Sequence, residues 1–262
     1  MTSFKSKLDW KTIVVLLPFF LFFIAIFFIG PMAQSEHYHL FADDRFWLIP
    51  NYSNVFSNLI FMFAGYYGAM HLDFQKLSKK ENYYLITFLV GVFFTGFGSS
   101  FYHLMPNTQT LVWDRLPMSI AFASFTAWLL SKTIFAKSKE RNFDFLIFTL
   151  LVVISIGSVF YWNYTQILGR GDLRVYYSVQ FGTILTTLVT VLVYDKSFFP
   201  KTACVYLFVF YVLAKVAELW DQQIFKVTFG LISGHALKHL LAGLGCYLFL
   251  YCLRKRSQIS NL

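Results

Sequence analysis

Five polar residues lie at or within long apolar stretches of the chain: Ser99, His103, Asp114, His235 and His239. An ionisable side chain at membrane depth costs at least ~2.5 kcal/mol, so such residues need a function or buried partners. Ser99 and His103 are four residues apart, and so are His235 and His239, so each pair falls on one face of a helix. Two helices can therefore bring three imidazoles to one place.

Three imidazoles can fill three corners of a zinc tetrahedron and leave the fourth for water. Because zinc is not redox-active and acidifies a bound water, hydrolysis is the expected reaction class. Asp114 is the candidate catalytic residue that orients the water and passes a proton to a leaving amine. Ser99, one turn before His103, is the candidate to donate to a developing oxyanion or to steady a ligand. Histidines that hydrogen-bond to neighbouring helices, or form a proton relay, stay open as alternatives.

The composition is that of an integral membrane protein. Hydrophobic residues make up 57% of the chain and charged residues 13%, whereas soluble domains carry about 25% charged residues. Spanning a bilayer takes about 20 apolar residues per helix, and eight such stretches occur, at about residues 12–30, 52–72, 83–104, 111–133, 144–162, 174–194, 202–220 and 231–252. The alternating pattern of a β-barrel is absent. We therefore predict an all-α, polytopic membrane helical bundle, with residues 1–262 as a single integral membrane domain.

The first apolar stretch has a second interpretation. Lys5, Lys7 and Lys11 precede it and Pro31-Met-Ala33 follows it, as in a signal peptide. Its apolar run is longer than the usual stretch of about 7–15 residues, which favours a helix that is retained.

The basic residues predict the orientation of the bundle. With the N-terminus in the cytoplasm, the inside segments hold Lys5, Lys7, Lys11, Lys76, Lys79, Lys80, Lys132, Lys137, Lys139, Arg141, Lys196, Lys201, Arg254, Lys255 and Arg256. The outside segments hold Arg45, Arg170, Arg174 and Lys226. This bias predicts that both termini are cytoplasmic. The net charge of +9 then reflects topology and attraction to anionic lipid heads, and it gives no indication of nucleic-acid binding.

The predicted orientation tests the candidate site independently, because it rests on lysine and arginine alone. The third span ends outside, and the fourth and eighth spans begin outside. Ser99, His103, Asp114, His235 and His239 therefore all fall near the outer face. We expect the active site to face the outer, periplasmic side of the membrane, with a membrane lipid as substrate.

The polar segment before the second span has two interpretations. Asp43, Asp44 and Asn51 offer oxygen ligands that suit a hard cation such as calcium. The alternative is an interfacial loop with residues that cap the next helix. His37, His39 and His71 are interpreted as loop or interface residues.

A charged group of residues accompanies the late histidines. Lys215 and Glu218 are spaced to pair on one helix face, and Lys238 is able to reach Glu218 or Asp221. A structural salt-bridge network is favoured over a catalytic role. Cys204, Cys246 and Cys252 lie in apolar stretches without metal-type spacing and are interpreted as packing residues.

Several of these motifs together resemble the alkaline ceramidase family, within a superfamily that includes adiponectin receptors. The resemblance lies in Ser99-x-x-x-His103, Asp114 and His235-x-x-x-His239, together with Asn54-Val-Phe-Ser-Asn-Leu59 and Trp113-Asp-Arg-Leu-Pro-Met118. It covers about residues 40–252. It implies a seven-helix core, with residues 1–30 as one extra N-terminal transmembrane helix.

The resemblance also implies a site and a reaction. Zinc would be held by His103, His235 and His239, with Asp114 and Ser99 beside it. The implied reaction is hydrolysis of a ceramide amide to a sphingoid base and a fatty acid. The chain departs from the family at Asn51, near where a glutamate of the calcium-binding cluster is expected. Its short loops suggest a bacterial member, located in the inner membrane.

Other functions stay open from the sequence. The zinc chemistry equally allows a lipid esterase. A receptor of the adiponectin type usually carries a sizeable cytoplasmic N-terminal domain, whereas about eleven residues precede the first apolar stretch. A transporter usually shows paired broken helices in two similar halves, and no such halves are evident here. The sequence indicates nothing about oligomeric state.

Overall fold

The structure is a computed structural model that describes residues 10–43, 45–46, 48–136 and 142–259. Its described helices confirm the predicted all-α, polytopic helical bundle. They are α1 Trp10–Ala25, α2 Tyr52–Ser57, α3 Leu59–His71, α4 Lys79–Leu104, α5 Thr108–Lys132, α6 Phe143–Ile167, α7 Arg174–Val193, α8 Lys201–Leu219, α9 Asp221–Val227 and α10 Gly234–Ile259.

The residues that join these helices include two short 3₁₀ turns, at Ile26–Phe28 and Glu36–His39. Two-residue strands, β1 Arg45–Phe46 and β2 Ile49–Pro50, form an antiparallel ribbon just before α2.

Six described helical segments are long and apolar enough to cross a membrane: Trp10–Phe28, Lys79–Leu104, Phe143–Ile167, Arg174–Val193, Lys201–Leu219 and Gly234–Arg256. They account for six of the eight predicted stretches. The predicted stretch 52–72 is divided at Asn58 into α2 and α3, so neither part reaches a full span. The stretch 111–133 lies within α5, which is long enough but carries Asp114, Arg115 and Lys132. The chain is an integral membrane protein.

The bundle is assembled from neighbouring helix pairs. α4 packs against α5 and α3, α10 against α8 and α3, and α5 also contacts α6 and α7. α1 lies at the edge against α7, where the ring of Phe19 sits beside Gly182. A Cβ at position 182 would lie 2.6 Å from that ring, so glycine permits the contact. Val15 is the buried residue of α1 itself.

The close approach of α4 and α5 positions the candidate catalytic residues. A Cβ at Gly91 would lie 2.8 Å from the backbone nitrogen of Ala121, and one at Gly98 would overlap the carbonyl oxygen of Trp113. Glycine at both positions lets the two backbones come together. Gly98 and Trp113 are the immediate neighbours of Ser99 and Asp114, so these two side chains face each other across the contact.

Both helices begin with side-chain caps. The Ser78 hydroxyl accepts from the backbone N–H of Glu81 at the start of α4, and the Asn107 side chain accepts from the backbone N–H of Thr110 at the start of α5. Each cap satisfies N–H groups that the helix leaves unpaired. Three residues separate Leu104 from Thr108, so the end of α4 lies beside the start of α5.

Candidate metal centre and catalytic site

Three histidines meet where α4 ends and α10 begins. His103, His235 and His239 are all buried, and their possible ligand atoms lie within 4.8 Å of one another. The ring centroids are 4.9 to 5.0 Å apart. Phe41, from the segment before α2, packs edge-on against His103 and His235, with centroids 4.6 Å from each. His103 therefore lies beside the pair His235 and His239, as their spacing in the sequence predicts.

One ring nitrogen of His103 has no partner among the residues that the structure describes. Its Nδ1 is buried and makes no hydrogen bond to any of them, although nearly all buried polar atoms in proteins have a partner. The backbone carbonyl of His103 accepts a hydrogen bond from the Asn51 amide, at 2.9 Å. An unpaired imidazole nitrogen among two other buried imidazoles fits a residue that ligates a metal.

His239 is oriented by the helix that precedes α3. Its Nδ1 lies 2.9 Å from the Ser57 hydroxyl, which in turn donates to the carbonyl oxygen of Asn54 at 3.1 Å. With the Ser57 proton in the bond to Asn54, the contact fits His239 donating through Nδ1–H to the Ser57 oxygen. This tautomer leaves Nε2 with a free electron pair, as a metal ligand requires.

His235 is positioned by the start of α10. Its backbone N–H donates to Asp221 Oδ1 at 2.7 Å, and the Ser233 hydroxyl accepts from the N–H of Ala236 at 2.9 Å. The Ser233 hydroxyl also donates to Asn54 Oδ1 at 2.8 Å. These contacts cap the helix and tie its first turn to α2 and to α9.

Asp114 and Ser99 form the second part of the site. The Ser99 side chain lies within hydrogen-bonding reach of the Asp114 carboxylate. Both line a cavity of about 320 Å³ together with His239. Asp114 is not in the cluster of possible ligands that the three histidines form. The arrangement suits a carboxylate that handles protons beside the metal position.

The cavity is polar at the histidine end of the bundle and apolar beyond it. Going from Ser99 back along α4, it is lined by Thr95, Val92 and Phe88. Going from His239 along α10, it is lined by Ala242 and Cys246. The apolar part of the cavity suits the hydrocarbon chain of a lipid.

The charged residues beside the histidines confirm a salt-bridge network. Lys238 Nζ lies 2.8 Å from Glu218 Oε1 and 2.9 Å from His235 Nε2. Lys215 Nζ lies 2.6 Å from Glu218 Oε2. Of the two carboxylates predicted within reach of Lys238, Glu218 makes the contact. Asp221 instead accepts from the backbone N–H groups of Ala42 and His235.

The residues proposed from the sequence for calcium have other contacts. Asp43 Oδ2 accepts from the N–H and hydroxyl of Ser53, at 2.6 and 2.7 Å, and from the N–H of Asn54 at 3.1 Å. Asp43 therefore caps α2, which is the alternative interpretation. Asn51 has a left-handed backbone with φ of 49°. Asp44 lies outside the described residues, so calcium stays a prediction.

His39 has the role expected of a loop histidine. Its ring bridges the Tyr102 hydroxyl at 2.9 Å and the Thr108 hydroxyl at 3.3 Å. Burial lowers its pKa, which favours the neutral ring that such a bridge uses. It ties the segment before α2 to the turn between α4 and α5.

Sequence reasoning missed three residues that shape the site: Ser57, Asp221 and Phe41. In the sequence, Ser57 is only a member of the motif from Asn54 to Leu59, and Asp221 is only a possible partner of Lys238. A polar residue at the start of one helix gives no local sign that it contacts a histidine on another. The Asn54-Val-Phe-Ser-Asn motif is the one sequence signal that included Ser57.

A family model described as Ceramidase matches residues 46–260. The chain belongs to the ceramidase family. The match extends from β1 to the end of α10 and includes all five candidate site residues, whereas α1 precedes it. A search of curated proteins finds no match to the chain.

Membership in the ceramidase family supports hydrolysis of ceramide as the activity. It also agrees with the resemblance found in the sequence motifs. The bundle of apolar helices and the cavity among them are consistent with a lipid substrate.

Proposed function

We propose that this chain is a zinc-dependent intramembrane hydrolase that cleaves a ceramide-like lipid amide to a sphingoid base and a fatty acid. The observation that carries the proposal is the group of three buried histidines next to a cavity lined by Asp114 and Ser99. Family membership supports the amide bond as the target. Zinc held by three imidazoles supplies a Lewis acid that polarises a carbonyl oxygen and acidifies water.

Two of the histidines, His103 and His239, are prepared to act as neutral ligands. The Ser57 contact fits the His239 tautomer with a free Nε2, and His103 Nδ1 has no competing partner among the described residues. Asp221 and Ser233 hold the first turn of α10. A site whose ligands are already oriented loses less freedom when it binds a metal.

Asp114 acts as the proton carrier. Its carboxylate accepts a proton from the attacking water and delivers it to the nitrogen of the leaving amine. Ser99 orients that carboxylate through its hydroxyl, or donates to the oxyanion that develops on the amide carbonyl. The apolar end of the cavity, near Phe88 and Cys246, holds the acyl chain and keeps bulk water out.

The proposal includes an orientation and a location. Both termini lie in the cytoplasm, and the histidine end of the bundle faces the periplasmic side of a bacterial inner membrane. The bias of lysine and arginine supports this orientation. A calcium ion near Asp43, Asp44 and Asn51 would be a second, separate site.

The function is tested with purified protein by metal analysis and by fatty-acid release. We expect about one zinc per chain and release from a long-chain ceramide, with little release from a matched ester. His239→Ala is the blank and should lose both zinc and activity. His71→Ala, at the opposite end of the bundle, is the matched control and should keep both.

Each other result has a distinct meaning. Release from the ester alone would replace the amidase with a lipid esterase. Release from neither lipid, with zinc bound, would favour a receptor. Full zinc content in His103→Ala, His235→Ala and His239→Ala would refute the metal centre.

A further inference from the structure

We propose that Lys215, Glu218 and Lys238 form a subsite for an anionic group on the polar part of the lipid substrate. These three residues are called the lysine subsite below. The inference rests on the proposed function, because it names the class of lipid amide that the same cavity accepts. The substrate is then an amide whose polar end carries a carboxylate, phosphate or sulfonate group.

The lysine subsite places two ammonium groups around a single carboxylate. Lys215 Nζ contacts Glu218 Oε2 at 2.6 Å, and Lys238 Nζ contacts Glu218 Oε1 at 2.8 Å. Among the described residues, Glu218 is the one carboxylate within 4.0 Å of either ammonium group. One carboxylate neutralises one of the two lysines and leaves one positive charge.

The lining of the whole cavity has the same excess of positive charge. Its lining includes three cations, Arg115, Lys215 and Lys238, and two carboxylates, Asp114 and Glu218. With neutral histidines, the lining therefore carries one positive charge more than it can neutralise. An excess positive charge on the wall of a largely apolar cavity attracts an anionic partner, because the apolar walls focus its field.

Arg115 is already accommodated by its own surroundings. Its guanidinium lies 4.2 Å from the centre of the Trp162 ring and 4.8 Å from that of Tyr176. Its Nη2 also donates to Gln34 Oε1 at 2.6 Å. The lysines are the more available cations, because each ammonium has three N–H donors and the side chain of Lys215 is 46% exposed.

The position of the lysine subsite fits the polar end of a lipid. Tyr211 lies one turn before Lys215 on α8, and Leu207 and Phe208 lie two turns before it. All three line the cavity. Lys238 directly precedes His239 and touches His235. An amide bond at the histidines would therefore have its acyl chain among the apolar residues and its polar end beside the lysines.

A structural salt bridge alone would need only one lysine. The Glu218–Lys238 pair joins α8 to α10, and Lys215 adds a second ammonium on the same helix as Glu218. Substituting Lys215 by methionine keeps the bond between the helices and removes the excess charge. This makes Lys215 the residue on which to test the proposal.

The test measures binding of two matched amphiphiles to the zinc-loaded protein in neutral detergent. Dodecane-1-sulfonate carries the anionic group, whereas dodecan-1-ol has the same chain and no charge. We expect the sulfonate to bind roughly tenfold more tightly or better, as a charge-assisted hydrogen bond provides. Lys215→Met should lose most of this preference, and Lys215→Arg should retain it.

Lys226→Met is the matched control for the net charge of the protein. Lys226 is exposed on α9 and does not line the cavity, so its loss should leave the preference unchanged. Equal affinity for the two amphiphiles would overturn the proposal. So would a preference that survives in Lys215→Met or that falls equally in Lys226→Met.

A turnover measurement separates this proposal from the proposed function. N-dodecanoyl taurine and N-dodecanoyl ethanolamine are matched amides with an anionic and a neutral end. Faster release of dodecanoate from the taurine amide would support both proposals. Release from neither, with the sulfonate preference intact, would contradict hydrolysis of such amides and still support the lysine subsite. Faster release from the neutral amide would overturn the lysine subsite and support the hydrolase.

Discussion

Nδ1 of His239 lies 2.9 Å from the Ser57 hydroxyl, so a side chain on α2 contacts a ring nitrogen of a histidine on α10 and fits the tautomer whose Nε2 is free. The Ser57 hydroxyl also lies 3.1 Å from the carbonyl oxygen of Asn54, which is able to accept its proton. Contacts of this kind orient metal-ligating histidines and raise the affinity of the site.

Replacing Ser57 should therefore weaken metal binding. Ser57→Ala removes the acceptor of the Nδ1–H bond, and we expect zinc affinity to fall about 10–100-fold. Competition with a chelator of known affinity measures the change. Ser100→Ala is the matched control, because the Ser100 hydroxyl uses its proton to donate to the carbonyl oxygen of Val55, at 3.0 Å. Unchanged affinity in Ser57→Ala would show that the contact does not orient His239.

Asp114 is expected to serve turnover and not metal binding. Asp114→Asn keeps the size of the side chain and loses its basicity, so activity should fall roughly 10²-fold or more. Zinc content should stay the same, because Asp114 is not among the clustered ligand atoms. Asp195→Asn, exposed after the end of α7, is the control that changes the same charge elsewhere. Parent activity in Asp114→Asn would refute the assigned role.

The orientation of the bundle is tested by cysteine labelling. Gln75 lies between α3 and α4, and Gln222 lies on α9, and both are exposed. With cytoplasmic termini, a membrane-impermeant reagent added to intact cells should label Gln222→Cys and leave Gln75→Cys unlabelled. Labelling of Gln75→Cys alone would place the active site at the cytoplasmic face.

The loop between α6 and α7 depends on an ionised Asp172. The Asp172 carboxylate accepts from Arg174 Nε and Nη2, at 2.8 and 2.7 Å, and from the Tyr161 hydroxyl at 3.1 Å. Hydrogen bonds from Arg174 lower the pKa of Asp172. Asp172→Asn should lower the melting temperature by several degrees, since hydrogen bonds to a charged group contribute about 1.5–3 kcal/mol.

The pH dependence of that effect follows from the lowered pKa. The stabilisation is fully present above the ordinary aspartate pKa of about 3.9 and is lost as pH falls through the folded-state value. The difference in melting temperature between the parent and Asp172→Asn should be constant from pH 7 to 5 and should shrink below about pH 4. Asp73→Asn, in an exposed pair with Lys76, should show little difference at any pH. A gap between the parent and Asp172→Asn that persists below pH 4 would contradict the ionised contact.

Much of the helix pattern could be predicted from the sequence because its cause is local. A run of about 20 apolar residues must form a helix in a bilayer, since every backbone polar group needs an internal partner. The division of the second stretch at Asn58 was not predicted. Residues 52–58 include Ser53, Asn54, Ser57 and Asn58, whereas the run after Asn58 is continuously apolar. This polar cluster is equally typical of the start of one continuous helix, so it does not by itself predict a break.

The sequence by itself also predicted which residues belong to the candidate site. The histidine spacing and the bias of basic residues predicted that His103, His235 and His239 lie near one face of the bundle, and the structure brings their rings together. Only the tertiary structure decided how they are held: the free nitrogen of His239, the choice of Glu218 over Asp221 by Lys238, and the facing of Ser99 and Asp114. These depend on how closely two helices approach and how each is rotated. Such distances are set where residues far apart in the sequence come into contact, as Gly98 and Trp113 do. The hydropathy of one helix does not predict these contacts.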